Sequence, residues 1–325
     1  MRQPGRSRSA TNVPPVVRSE RSSRRSTRVP RTAMRSSNHT GRRRPPHRLR
    51  ARRRDRHMSY VPEDDEFATL RVERDADERV LRVHLHRPER RNAVNDRMML
   101  EVGDLFLRLQ QDFRTRVVVL GGDGASFCAG ADRKTDDQPL DEPNGERERR
   151  FRAHLGRRAA RAIEECEITT VARVQGHAAG GGAVWAVSCD FRVAADDALL
   201  WYPEIELGMP LTWAATPRLI GEIGMARARQ LVLLCERITG RTAFDWGLVH
   251  EAVPADELDA AVDRWVARLL DLPDLAVHMT KTQFRAYSRN VSLGDVSEAD
   301  ADQIVLARAT PETQARIRAP FRRGQ

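Results

Sequence analysis

Gly176-His177-Ala178-Ala179-Gly180-Gly181-Gly182-Ala183 lies between a strand-like run, Thr170–Gln175, and a run of small residues that reads as a helix, Gly180–Cys189. A second glycine-bearing stretch, Ser126-Phe127-Cys128-Ala129-Gly130-Ala131-Asp132, follows a strand-like run in the same way. Neither is a phosphate loop: no Gly-x-x-x-x-Gly-Lys is present, and no Gly-x-Gly-x-x-Gly opens a helix at the right place. Small residues let a ligand come close to the backbone. Gly181 would begin a helix, where N–H groups lack intrahelical partners and the dipole favours negative charge. Two such N–H groups aimed at one point make an oxyanion hole.

Working outward, Phe67–Glu73 and Arg79–His86 alternate like the strands of a hairpin, with Asp75, Asp77 and Glu78 between them. Val94, Met98, Val102, Leu105, Phe106, Leu109 and Phe113 recur at helical spacing. Thr115–Leu120 reads as a short buried strand ending in the turn Gly121-Gly122-Asp123-Gly124. Arg147–Glu165 reads as a helix and Phe191–Ala195 as a strand; after residue 211 the signals are nearly all helical. Strands alternating with helices, then helices alone, predict an α/β fold with a core over residues 58–255 and a helical C-terminal region over 256–325.

The composition narrows the function classes. The chain has 325 residues, 31% charged and 40% hydrophobic, enough for a substantial core. Its apolar runs, such as Val117–Leu120, are far too short for a membrane span. Four cysteines without a C-x-x-C pair argue against a disulfide scaffold and a zinc ribbon and fit a reducing compartment, hence a cytoplasmic protein. His, Cys and acid spacings suggest no metal cluster.

The basic charge is localised. Residues 1–57 hold 19 Arg, no Lys, two acids, no aromatic residue and a single leucine, Leu49. Such a segment cannot bury enough apolar surface to offset its ordering entropy and is expected to be disordered. It reads as an organelle leader, as a phosphate-binding tail, or as an over-extended reading frame whose true start is Met58. The use of 54 Arg against only Lys134 and Lys281 suggests GC-rich coding, in which such frames arise easily. The remainder has 37 basic and 44 acidic residues and gives no reason to expect nucleic-acid binding.

The motifs together resemble the enoyl-CoA hydratase/isomerase (crotonase) family. They are His86 through Val94, Phe127 through Asp132, Gly176 through Asp190, Pro203-Glu204-Ile205-Glu206-Leu207-Gly208, Arg218-Leu219, and Ala243 through Val249, in family order over roughly residues 66–288. The resemblance implies a spiral of ββα units with a helical C-terminal trimerisation region, a homotrimer or dimer of trimers, and an acyl-CoA thioester as substrate with no separate cofactor. It implies that the N–H groups of Ala131 and Gly181 hold the thioester oxygen. It also implies that Arg91, Asn92, Ala93 and Val94, with Ala129, Ala131 and Asp132, line the CoA arm, beside Gly180 and Gly181. Arg133 and Lys134 would reach CoA phosphates, and Lys281 is a further candidate near the CoA. Cys128 and His177 read as packing residues, Asp190 as structural, and Trp185, Trp201 and Trp213 as core or pocket wall.

Where the chain departs from the family, the expected chemistry changes. Hydratases of this family use two glutamates to orient and deprotonate water; the first position here is Val184 and the second is Glu204. One carboxylate suffices to take a proton from the α-carbon of a 3-enoyl-CoA and return it at the γ-carbon, which predicts an isomerase with Glu204 as acid/base. The alternatives are a hydratase or hydrolase-like enzyme on an unusual acyl-CoA, with Glu206 or the substrate itself assisting, and an acyl-CoA-binding protein without turnover. Thr212 stands where dienoyl isomerases carry a further acid and aryl-CoA dehalogenases an Asp. Met209 through Ala215 lacks the Gly-Gly usual before Arg218-Leu219, so the pocket floor and the acyl specificity are expected to differ.

Overall fold

In a computed structural model β1 (Leu70–Arg74), β2 (Val80–Leu85), β3 (Val117–Gly122), β4 (Thr169–Val174), β6 (Phe191–Ala195) and β9 (Glu251–Val253) form a sheet in that order, and β5 (His177–Ala179), β7 (Leu199–Trp201) and β8 (Ile238–Thr239) form a second. The structure describes residues 66–133, 140–291 and 300–318. These belong to the unit Asp55–Gln325; the preceding unit, Met1–Arg54, and with it the disorder expected over residues 1–57, lies outside the described residues.

β1 (Leu70–Arg74) and β2 (Val80–Leu85) pair antiparallel, with Leu70 opposite Leu85. β3 (Val117–Gly122) then joins β2 in parallel and is buried along its whole length, as a strand covered on both faces must be. Gly121 and Gly122, expected in a turn, are its last two residues, paired with His84 and Leu85. A Cβ on Gly122 would collide with the carbonyls of Ser126 and Phe127, so this closely approached strand end admits only glycine.

From β4 (Thr169–Val174) the chain alternates between the sheets. β4 and β6 (Phe191–Ala195) pair in the large one; β5 (His177–Ala179) and β7 (Leu199–Trp201) pair in the small one. After each strand pair comes a helix, α4 (Gly181–Ser188) and α5 (Ala215–Leu233) respectively. Residues after 211 are not wholly helical: β8 (Ile238–Thr239) and β9 (Glu251–Val253) close the two sheets. They are two and three residues long, too short for a period-2 pattern to show.

α1 (Asp96–Arg108) is capped by Asn95, whose side chain accepts from the Met98 N–H at 2.9 Å, and it buries Met98, Val102, Leu105 and Phe106. It ends before Phe113, which is 79% exposed. The helix expected over 147–165 is two, α2 (Glu146–Ala153) and α3 (Leu155–Glu165), broken at buried His154. α6 (Gly240–Asp245), α7 (Leu258–Asp271), α8 (Asp274–Val291), α9 (Asp300–Arg308) and α10 (Pro311–Arg318) complete the described chain. Among the described residues no helix is long and apolar enough to cross a membrane.

Candidate active site

The two glycine-bearing stretches run side by side. Phe127 donates to Gln175 O, Cys128 to His177 O, and Ala179 back to Cys128 O, at 2.8, 2.8 and 3.0 Å. The Arg91–Val94 loop joins them: Ala129 donates to Arg91 O, Val94 to Gly130 O and Asp132 to Val94 O, at 2.8–2.9 Å. This lacing sets the Ala129–Asp132 stretch between the Arg91–Val94 loop and β5, with Gly130 close against the Ala179 carbonyl. Neither the Ala131 nor the Gly181 N–H meets an acceptor among the described residues, as an oxyanion hole requires.

Glu204 arrives by the pairing of the small sheet. Ala179 lies opposite Trp201, and Gly180 donates to Trp201 O at 2.9 Å, so the segment after β7 passes over the start of α4. Gly180 has φ 47° and ψ −121°, a conformation that glycine alone takes readily. A Cβ there would lie 2.8 Å from Glu204 Oε1. The other carboxyl oxygen, Oε2, is buried without a hydrogen-bond partner. Loss of water pushes the Glu204 carboxyl up to about 7, against only a small opposing pull from its own backbone N–H. A carboxyl with that affinity for protons can both take and return one near neutral pH.

The helix that begins beside Glu204 is apolar. Val184 is 1% exposed on α4. Trp213 stacks on fully buried Trp185, with ring centroids 5.9 Å apart. Trp213 and Ala214 both have left-handed backbones, φ 60° and 56°. This is the position where the sequence lacks the usual Gly-Gly, and each residue there costs about 1–2 kcal/mol. Arg218 braces the bend, donating to the carbonyls of Trp213 and Ala214 at 2.8 and 3.0 Å and pairing with Glu164 on α3.

Several residues expected to face a ligand turn their side chains inward. Asn92 is fully buried: its Oδ1 accepts from Arg87 N, and its Nδ2 donates to the carbonyls of Asp123, Ser126 and Phe127. Asp132 faces buried Arg87 at 3.0 Å, and Arg87 also donates to Ala93 O at 2.6 Å. These three residues hold the loop in shape. Removing the buried guanidinium in Arg87→Met is expected to cost about 3–5 kcal/mol in urea unfolding; a loss below about 1 kcal/mol would show that the pair does not sustain the loop.

Arg133, expected to reach phosphates, donates instead to the carbonyls of Arg316 and Ile317 at the end of α10, a favourable place for a cation. Lys134 lies outside the described residues. Lys281 is buried and bonded to Asp190 at 2.5 Å and Ile168 O at 2.8 Å, so it ties α8 to the start of β4. Asp190 also accepts from Thr170, consistent with a structural role. Burial pushes the Cys128 thiol up to about 12, leaving an inert filler beneath Gly182. Glu206 is exposed, on the segment where α10 packs, with its carbonyl accepting from Arg316. Among the described residues no His/Cys/Asp/Glu group could hold a metal ion.

Comparison with known proteins places this arrangement. A family model described as enoyl-CoA hydratase/isomerase matches residues 75–317. Crotonyl-CoA hydratase of Syntrophomonas wolfei is 34% identical over 206 residues, 63% of this chain and 77% of the relative. A mitochondrial Delta(3,5)-Delta(2,4)-dienoyl-CoA isomerase of Pongo abelii is 30% identical over 241 residues, 71% of this chain and 73% of the relative. The crystal structure of an enoyl-CoA hydratase from Mycobacterium avium subsp. paratuberculosis matches with a TM-score of 0.68 and 27% identity, covering 77% of this chain and 94% of the other. The α/β architecture, with strand pairs followed by helices and a helical C-terminal part, is that of the crotonase fold.

Proposed function

The chain belongs to the enoyl-CoA hydratase/isomerase family of acyl-CoA enzymes, and from that premise we propose that it shifts the double bond of an enoyl-CoA with Glu204 as its single acid/base. The N–H groups of Ala131 and Gly181 donate to the thioester oxygen and stabilise the enolate formed when Glu204 takes a proton from the α-carbon of a 3-enoyl-CoA. The electron pair moves to the Cα–Cβ bond, the old double bond shifts, and Glu204 returns the same proton at the γ-carbon. No atom is gained or lost. The observation that carries this reading is the Glu204 carboxyl beside Gly180, partly buried, with Oε2 sealed from solvent and its proton affinity raised to about 7. The backbone of Arg91 through Val94 and of Ala129 through Asp132 lines the CoA arm, and the CoA ester is substrate rather than cofactor.

A second reading, hydration, is favoured by the relatives that are named hydratases. It needs a carboxylate to hold water opposite Glu204. Val184 is apolar and buried there, and Glu206 is exposed elsewhere. The two reactions separate spectroscopically. With 3-enoyl-CoA, absorbance of the conjugated thioester is expected to rise; with 2-enoyl-CoA it is expected to stay constant. A fall with 2-enoyl-CoA would establish hydration. Binding of both esters without any change would mean a non-catalytic acyl-CoA-binding member. For assembly we infer a homotrimer or dimer of trimers; α8 leaves Leu275, Met279, Phe284 and Tyr287 exposed for burial between subunits.

A further inference from the structure

We propose that Trp213 closes the acyl chamber and restricts this protein to short acyl chains. The proposal rests on the acyl-CoA reading above and adds the size of the acyl group. A Cβ built on Gly181, or on Gly156 of α3, would collide with the Trp213 indole, so the ring fills the gap between these two helices. At the neighbouring Gly180 the nearest atom to such a Cβ is Glu204 Oε1, at 2.8 Å. The indole and the carboxyl therefore flank consecutive residues at the start of α4, next to the Gly181 N–H that would hold the thioester oxygen. An acyl chain leaving that point meets an aromatic wall.

The wall is held in place. Its far side stacks on Trp185, which is buried and cannot retreat. Its backbone is pinned by the two Arg218 hydrogen bonds, and Arg218 is itself anchored to Glu164. Keeping a bulky residue in a left-handed bend requires such bracing. The indole cannot swing aside without leaving its stack on Trp185, and the Arg218 bonds fix the backbone from which it hangs. In an apolar pocket each added or missing methylene changes discrimination by about 10-fold or more, so a fixed wall translates directly into chain-length preference.

The test uses the full chain and saturated butanoyl-, octanoyl- and dodecanoyl-CoA, which have no double bond to shift, so binding is read without turnover. Affinities come from titration calorimetry for the wild type, Trp213→Ala and Trp213→Phe. The wild type is expected to bind butanoyl-CoA at least about 10-fold more tightly than dodecanoyl-CoA. Trp213→Ala is expected to reverse that order, and Trp213→Phe to fall between. If Trp213→Ala fails to fold, the wild-type series and the Phe variant decide. Wild-type affinity that is flat or rises with chain length overturns the proposal, as does an order unchanged in the variants. Failure of every ester to bind the wild type overturns the acyl-CoA reading together with it.

Discussion

Glu204→Gln is expected to lower turnover of a 3-enoyl-CoA by about 10²–10⁴-fold while leaving affinity for CoA esters within a few-fold of wild type. Gln keeps the shape of the side chain and removes its ability to carry a proton. Stopped-flow absorbance of the conjugated thioester, with a saturated acyl-CoA as a binding control, checks both parts. Retained turnover would remove Glu204 from the chemistry; lost binding would make its role one of packing. The pH dependence follows from burial. Glu204 acts first as a base, so wild-type kcat/KM is expected to fall as pH drops below about 7, where the carboxylate becomes protonated.

The same group leaves a mark on stability with a defined sign. Its proton affinity is higher in the folded chain, about 7 against an ordinary 4.5. Between those values the folded state holds more protons than the unfolded one, so stability falls as pH rises through that window. Above about 7 the full cost of a buried charge is present, on the order of 3 kcal/mol. Glu204→Gln removes that cost. The variant is expected to be more stable than wild type at pH 8, with a flatter pH profile in denaturant unfolding. A variant less stable than wild type at pH 8 would show that the carboxylate is well solvated in the native state.

Gly180→Ala is expected to cost about 10²-fold or more in kcat/KM, although it adds one methyl group. The left-handed backbone at residue 180 disfavours a side chain, and the new Cβ would press on the Glu204 carboxyl at 2.8 Å. The backbone penalty alone is about 1–3 kcal/mol, visible as a lower melting temperature. A variant that melts lower but keeps full turnover would mean that Glu204 need not lie against the start of α4 for reaction.

Much of this was legible in the residues themselves. Val117–Leu120 and the alternation in Leu70–Arg74 and Val80–Leu85 specify strands locally, because an unbroken or period-2 apolar pattern has few other uses. The glycine-bearing stretches pointed to closely packed backbone, which the pairing of Cys128 with Ala178 bears out, and the resemblance implied that Val184 leaves Glu204 alone where hydratases carry a pair. What side chains do inside those stretches was not legible. Asn92, Asp132, Arg133 and Lys281 are polar groups whose partners lie up to 184 residues away, and a sequence does not state which carbonyl a guanidinium will find. The two-residue strand β8 was hidden for a related reason: its existence depends on pairing with β7, not on its own composition.

By itself, then, the sequence determined the α/β class, because alternating strand and helix patterns follow from residue type and local spacing, while the donor roles of Ala131 and Gly181 and the single carboxylate are what the family resemblance implies. Only the tertiary structure decided that one Glu204 oxygen is sealed from solvent beside Gly180, that Trp213 takes the space above Gly181, that Arg133 bonds to the end of α10 and that Lys281 bonds to Asp190. Desolvation and steric closure are properties of what surrounds a group, and those neighbours come from distant parts of the chain.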